Sequence, residues 1–340
     1  MKSSVHNLMP VLLLIGLSMM FFPLRSQTES ERREVLRRIS AQAEAGDAES
    51  QYQMYTVYNR GYDSIAADSV SALRMLRLAA QGGHKEAQNM LGYRLYKGDG
   101  VERDIEEGLS WLEQAAIAGH LKAAGNLGYL LIYGEGVVHD YENAAFWLQR
   151  AADGEIATAQ SMLGDLYRDG TGVERDRNMA DSLYRQSLHN GLTDSAYKLY
   201  DLNTEAWSVA DPSTLVREGL EFYKSGAPEV GVKLFEMAAA KNDSHAMALL
   251  GDAYTRGLGV GYSHQHALDW YARSAAAGYA PAMFIIGELL EILPDSLDTL
   301  SDDVRALYTD LPHDAGSWFE RASADGISDA ETANRRLLNF

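Results

Sequence analysis

The chain has 340 residues, with 30 Lys and Arg against 48 Asp and Glu, so its formal net charge is −18. An acidic surface argues against binding to a phosphate backbone, which needs clustered Lys and Arg, so no nucleic-acid partner is expected. The sequence contains no Cys, which excludes disulfides, zinc–thiolate sites and iron–sulfur ligation.

The first 26 residues have the pattern of a secretory signal peptide. Lys2 is followed by no charged side chain until Arg25, and the segment 11–22 is almost entirely apolar. Ser26 would be the last residue before cleavage. The apolar run is near the lower end of the ~17–25 residues that cross a bilayer, so an uncleaved membrane anchor is the alternative. We therefore expect a secreted or periplasmic protein of the bacterial cell envelope, which contacts a membrane only if this segment is retained.

A short apolar–glycine pair repeats along the chain at a fixed interval of 36 residues. Its first three copies are Leu91-Gly92, Leu127-Gly128 and Leu163-Gly164. A period of this size is typical of stacked structural units. Each unit reads as two helices that must approach closely, which Gly92 allows. Gly98 predicts the end of one first helix, and Asp104 predicts the N-cap of the second, with Glu107 at capping-box spacing.

The periodicity divides the chain into several parts. A charged helical pattern predicts an N-terminal capping helix over 27–47, and repeats one to four follow over 48–195. Residues 196–228 break the pattern and form either a divergent repeat or a joint between two solenoid segments. Repeats resume over 229–327, with an insertion at 294–313 that is long enough to suggest a function. Residues 328–340 predict a C-terminal capping helix.

The repeated skeleton resembles the Sel1-like repeat, a relative of the tetratricopeptide repeat. In one unit the matching residues are Ala87, Leu91, Gly92, Tyr96, Gly98, Gly100, Val101, Asp104, Trp111, Ala115, Ala116, Gly119 and Ala123. The resemblance covers roughly 48–195 and 228–330. It implies an all-α fold, an α/α superhelical solenoid of about seven helix-turn-helix repeats of 36 residues. It also implies a non-enzymatic scaffold that binds protein or peptide partners.

Specificity in such a repeat is expected at the variable positions of the first helices. In similar repeats the residue two after the conserved Leu or Ile faces the inner groove. Here these residues are Tyr93, Tyr129, Asp165, Asp252 and Glu288. The series changes from tyrosine to acid, which predicts a groove for a protein or peptide that carries a basic segment. Ordinary solvated helix surface with tyrosine packing is the alternative interpretation.

No nucleophile motif, phosphate loop or pair of catalytic carboxylates stands out, so we expect neither catalytic residues nor a cofactor. His264 and His266 offer two metal ligands with no third nearby, and no metal site is expected. The rival function is an exported enzyme on the same fold that acts on cell-wall material or a β-lactam. The resemblance weakens this rival, because exported relatives of that kind are held together by disulfides.

Overall fold

The structure, a computed structural model, describes residues 29–62, 65–292, 298, 300–307, 312 and 314–330. These residues contain seventeen helices and no β-strand, with one isolated bridge between Tyr62 and Ile65. The described helices confirm the predicted fold class, an all-α solenoid of helical-hairpin repeats. None of these helices is both long and apolar enough to span a membrane. The predicted signal segment 1–26 lies outside the described residues, as does most of the predicted helix over 328–340.

The chain divides into two compact units, of which unit 1 ends at Gly154 and unit 2 begins at Glu155. The described residues of unit 1 form one single helix followed by three helical hairpins. Its helices are α1 (Glu29–Glu44), α2 (Ala48–Arg60), α3 (Ser69–Gln81), α4 (Lys85–Lys97), α5 (Ile105–Ile117), α6 (Leu121–Tyr133) and α7 (Tyr141–Asp153). The two helices of each hairpin pack on each other, and each second helix packs on the first helix of the next hairpin. This stacking buries the apolar side that an isolated hairpin would expose.

The two helices of a repeat cross at glycine. A Cβ atom on Gly92 of α4 would lie 2.7 Å from the carbonyl oxygen of Gly108 and 2.9 Å from Leu112 Cγ, both on α5. A Cβ atom on Gly108 would lie 2.8 Å from the carbonyl oxygen of Gly92. Such separations are shorter than van der Waals contact, so only glycine permits this approach. The close crossing predicted at Gly92 is therefore confirmed.

The start of α5 agrees with the prediction in its N-cap but not in its capping box. The Asp104 side chain accepts a hydrogen bond from the backbone N–H of Glu107. The backbone N–H of Asp104, however, donates to the carbonyl of Leu95. The Glu107 carboxylate instead accepts from Trp111 Nε1 at 3.0 Å and pairs with Arg77 of α3 at 3.2 Å. Glu107 thus joins the second helices of two neighbouring repeats.

The part of unit 2 that the structure describes forms four hairpins and two further helices. Its helices are α8 (Ala157–Asp169), α9 (Arg177–His189), α10 (Asp194–Val209), α11 (Pro212–Lys224), α12 (Pro228–Ala239), α13 (Ser244–Arg256), α14 (His264–Ala276), α15 (Ala280–Ile292), α16 (Asp302–Arg305) and α17 (Ala315–Ala324). The hairpins are α8–α9, α11–α12, α13–α14 and α15–α17. Together with the three in unit 1, seven hairpins lie within the described ranges, in agreement with the prediction of about seven repeats.

The break in the sequence pattern over 196–228 comes from one additional helix and one shortened hairpin. The additional helix, α10, packs on α9 and on α12. Helices α11 and α12 then form a hairpin with a loop of only three residues, 225–227. A Cβ atom on Gly219 would lie 2.5 Å from the Phe235 ring and 3.1 Å from the carbonyl oxygen of Gly231. This hairpin therefore keeps the glycine crossing of the regular repeats.

The described part of the predicted insertion at 294–313 packs onto the last repeats. Leu300 and Val304 are buried in the same core as Trp318. The backbone N–H of Ser301 donates to Asp269 of α14 at 3.0 Å. These residues therefore contribute to the core beside the last hairpin.

Candidate functional site

The five predicted binding residues all lie on first helices, but they divide between the two units. Tyr93 on α4 and Tyr129 on α6 belong to unit 1. Asp165 on α8, Asp252 on α13 and Glu288 on α15 belong to unit 2. The two tyrosines lie on adjacent first helices, whereas the three acidic residues have different surroundings.

Three pairs of residues lie along α4 and α6, and we call this strip the α4–α6 seam. Glu86–His120 and Asn89–Asn126 are within hydrogen-bond distance, and Tyr93 and Tyr129 lie at the same position of successive repeats. The three members on α4 are separated by three and four residues, so they lie on one face of that helix. The seam begins at the N-terminal ends of both helices and reaches the tyrosines about two turns later.

The first pair of the seam also caps a helix. His120 Nε2 lies 2.8 Å from Glu86 Oε2, while His120 Nδ1 accepts a hydrogen bond from the backbone N–H of Ala123 at 3.0 Å. His84 has the same arrangement one repeat earlier, where it contacts Glu49 at 3.0 Å and caps α4. A ring that accepts at Nδ1 carries its proton on Nε2, the nitrogen that donates to glutamate. Each histidine therefore caps one first helix and bonds to the preceding one.

Sequence reasoning missed these histidine caps, because Ser, Thr, Asp and Asn are the usual N-cap residues. The available signal was the position of His84 and His120, which directly precede two first helices at an interval of 36 residues. The hydrogen bond from His120 lowers the pKa of the Glu86 carboxyl, although burial acts in the opposite direction.

The second pair of the seam is formed by two amides. Asn126 Nδ2 donates to Asn89 Oδ1 at 3.0 Å, and Asn89 is only 8% exposed. Each amide has two N–H donors and one carbonyl acceptor, so one bond leaves most of their capacity unused. Asn89 Nδ2 and Asn126 Oδ1 have no partner within the described residues. Neither is among the fully buried atoms that lack a partner, so both reach solvent.

The third pair makes the far end of the seam aromatic. Tyr93 and Tyr129 are both half-buried. Burial raises the pKa of the Tyr93 phenol, and the neighbouring Tyr129 and Tyr96 add to the rise. The Tyr133 ring lies 5.3 Å from that of Tyr129 and is 54% exposed, and Lys97 Nζ lies 5.8 Å from the centre of the Tyr93 ring. This end is a partly open aromatic surface with a cation at its edge.

In unit 2 an ion pair connects α8 with α10, and we call this strip the α8–α10 seam. Asp165, at the same repeat position as Tyr93, accepts from Lys198 Nζ at 2.6 Å and from Tyr184 Oη at 2.7 Å. Arg168 lies 3.3 Å from the same carboxylate. Lys198 also donates to Ser161 Oγ at 2.8 Å. The carboxylate of Asp165 is therefore already bonded on several sides within unit 2.

The phenol of Tyr184 stays neutral in this arrangement. Burial raises its pKa, and the negative charge of Asp165 raises it further.

The other two acidic residues of the predicted groove lie on α13 and α15. Asp252 forms an ion pair with Arg256 of the same helix at 2.8 Å. Glu288 is exposed on α15.

The histidines considered as metal ligands lie at the start of α14. His266 Nδ1 is 2.7 Å from Oγ of Ser263, the N-cap residue, and its ring stacks on Tyr254 at 5.1 Å. Across the described ranges of the chain, no cluster of three or more His, Cys, Asp or Glu side chains is arranged to hold a metal ion.

The crossing glycines and stacked hairpins define an α/α repeat protein, and the sequence places it in one family. The family model for the Sel1 repeat matches residues 48–84, 85–120, 121–155, 157–192, 218–243 and 244–279. The chain therefore belongs to the Sel1 repeat family, as the sequence resemblance predicted. A comparison with curated proteins finds no match.

Two solved structures of similar proteins are from bacteria. A Sel1 repeat protein from Oxalobacter formigenes is 25% identical, with a TM-score of 0.47, over 94% of this chain and 84% of its own. A protective antigen of uropathogenic Escherichia coli that displays an SLR fold is 24% identical, with a TM-score of 0.44, over 89% of this chain and 67% of its own.

Proposed function

We propose that this chain is a non-enzymatic scaffold that binds a protein or peptide, and that the α4–α6 seam is its binding surface. The Sel1 repeat fold supports the first part, because constant positions such as Gly92, which recurs as Gly128 and Gly164, build the frame. Side chains on the first helices can then vary without altering the stacking. We further propose that the chain is exported, on the basis of its apolar segment 11–22.

The observation that carries the proposal is the pair of adjacent tyrosines, Tyr93 and Tyr129. Tyrosine is enriched in binding surfaces because its ring offers a large amphipathic contact area and loses little rotamer freedom. Both rings are half-buried, so neighbouring side chains already restrict them before a ligand binds. Such preorganisation lowers the entropy cost of association.

The acidic part of the predicted groove has weaker support. Asp165 and Asp252 already contact Lys198 and Arg256, respectively, which reduces what they offer to a basic ligand. Glu288 is exposed and lies apart in sequence. The proposal therefore rests on the two tyrosines, and the basic segment of the partner stays a prediction.

The test uses peptides selected on the purified full-length chain from a random peptide library displayed on phage. Affinities of the selected peptides are then measured by fluorescence anisotropy. Replacing Tyr93 and Tyr129 together with Ala should weaken binding by about tenfold or more, because truncated aromatic anchors typically cost over ~1 kcal/mol each. Tyr262→Ala is the matched control, since this side chain is 71% exposed in unit 2.

Two results would contradict the proposal. Unchanged affinity of the double Tyr93→Ala, Tyr129→Ala variant, with circular dichroism showing a folded protein, would exclude the α4–α6 seam as the binding surface. Turnover of a muropeptide or a β-lactam by the purified chain would instead favour the rival enzyme.

A further inference from the structure

The asparagine pair of the α4–α6 seam is not a requirement of repeat packing. Asn89 lies five residues after the N-cap of its helix. At the same position, the other first helices whose N-cap is described carry Tyr52, Gly125, Ser161, Val216 and Ala248. The repeat therefore accepts aromatic, aliphatic and very small side chains there. A nearly buried amide at such a position calls for a specific reason, because burying polar groups costs free energy unless they form hydrogen bonds.

The free atoms of the pair match the edge of a peptide chain. Asn89 Nδ2 supplies an N–H donor, and Asn126 Oδ1 supplies an acceptor. In an extended chain, the N–H and C=O of one residue point to the same side. One residue of an extended peptide could therefore use both atoms at once, while its side chain points elsewhere.

We propose that Asn89 and Asn126 bind the main chain of an extended peptide segment. Asn89 Nδ2 donates to a peptide carbonyl, and Asn126 Oδ1 accepts the N–H of the same peptide residue. The inference rests on the proposed function, and it names the form in which the partner is bound. It assigns main-chain recognition to the amides and side-chain recognition to the tyrosines.

The positions along α4 give the proposal a register. Tyr93 follows Asn89 by four residues, which corresponds to about 6 Å along the helix axis. An extended peptide advances about 3.3 Å per residue, so this distance equals about two peptide residues. The peptide side chain that packs on Tyr93 should therefore lie about two residues from the one whose main chain meets the amides.

The experiment removes peptide N–H groups one at a time. Peptides selected on the full-length chain are synthesised with each backbone amide N-methylated in turn, and their affinities for the unaltered protein are measured. We expect one position to lose about tenfold or more, since leaving a polar group unpaired costs ~1–3 kcal/mol. That position should lie about two residues from the side chain whose replacement by Ala mimics the loss in the Tyr93→Ala, Tyr129→Ala variant.

Protein variants then locate the acceptor. With Asn126→Ala, the same N-methylation should change the affinity by less than about twofold, because its partner is gone. Asn143→Ala, at an exposed position on α7, is the matched control and should preserve the tenfold loss. Thermal unfolding of both variants verifies that they fold.

The outcomes separate the two proposals. If no N-methylated position weakens binding to the unaltered protein, or if Asn126→Ala leaves the loss intact, the main-chain inference is wrong and the amides are hydrated only. If the double tyrosine variant binds with unchanged affinity, the proposed binding surface is wrong instead. If the library yields no binding peptide, both fail together.

Discussion

The α4–α6 seam and the α8–α10 seam occupy equivalent positions in the repeat and differ in how their polar groups are used. In the first, the amide pair keeps a donor and an acceptor that no described residue engages, and the tyrosines are partly exposed. In the second, Lys198 donates to Asp165. Tyr184 donates to the same carboxylate, and Ser161 accepts a further hydrogen bond from Lys198. The α4–α6 seam thus presents unused hydrogen-bonding groups, whereas the charged groups of the α8–α10 seam bond to one another.

The difference shows how one frame can carry either a binding surface or a structural contact. Gly92 and Gly164 both sit at helix crossings, where a Cβ atom would lie under 3.0 Å from the second helix. Both repeats therefore have glycine at the crossing, although Gly92 faces the Gly108 carbonyl and Gly164 faces the Tyr184 ring. The variable positions decide whether neighbouring first helices bind to each other through charges or leave polar atoms for a partner.

The largest expected effect comes from opening the α8–α10 seam. Lys198→Met leaves the Asp165 side chain, which is only 18% exposed, without its ammonium partner. We expect a loss of about 2 kcal/mol in the free energy of unfolding, below the 3–5 kcal/mol typical of a fully buried pair because Lys198 is partly exposed. Urea unfolding followed by circular dichroism measures it. Lys97→Met, at an exposed position on α4, is the control and should cost under about 0.5 kcal/mol.

The next effect concerns the Glu86–His120 hydrogen bond at the start of the α4–α6 seam. His120→Ala removes both the cap on α6 and the bond to Glu86, and should cost about 1–2 kcal/mol in urea unfolding. His120→Asn restores a capping acceptor and should recover part of this loss. Equal stability of His120→Ala and the unaltered protein would show that the cap and the Glu86–His120 hydrogen bond contribute nothing to the free energy of unfolding.

A smaller effect is expected at the ends of two second helices. Gly119 has φ +84° with open space around the Cβ position, so Gly119→Ala should cost about 1 kcal/mol through backbone strain alone. Glu155 takes φ +61° where the repeat would have glycine. Glu155→Gly should therefore stabilise the protein by up to about 0.5 kcal/mol. Thermal unfolding of both variants tests the opposite signs.

The smallest effect is a pH dependence within the α4–α6 seam. The pKa of Glu86 is lowered in the folded state from its ordinary value of 4.5, chiefly by the hydrogen bond from His120. Its contribution to stability is therefore present above pH 4.5 and is lost as the pH falls through the folded-state pKa. The stability difference between the unaltered protein and Glu86→Gln should shrink as the pH falls below 4.5. The groups that face Glu86 are His120, Lys122 and His84, and all three remain in place in Glu86→Gln.

Most of the fold could be predicted from the sequence because it depends on local signals. The repeated Leu-Gly pairs act within one hairpin, and the left-handed Gly98 and the Asp104 cap act within a few residues of their own position. The capping box at Glu107 was wrong because Trp111 and Arg77 compete for the same carboxylate. Arg77 belongs to the previous repeat, so only the stacked structure shows that competition.

The candidate site could be predicted only in part. The position of Tyr93 and Tyr129 follows from the repeat, and the structure places them on the first helices of successive repeats. The partners of Asp165 could not be predicted, because Lys198 lies 33 residues away on a helix outside the regular pattern. The free amide atoms were missed because Asn89 and Asn126 occupy different positions in their repeats.

The most direct test of peptide binding at the α4–α6 seam is nuclear magnetic resonance of the isotope-labelled chain, titrated with a selected peptide. Side-chain amide signals of Asn89 and Asn126 should shift in proportion to the bound fraction, together with backbone signals around Tyr93 and Tyr129. Signals around Asp165 and Lys198 should stay in place. Shifts concentrated at Asp165 and Lys198, with Asn89 and Asn126 unchanged, would contradict the account.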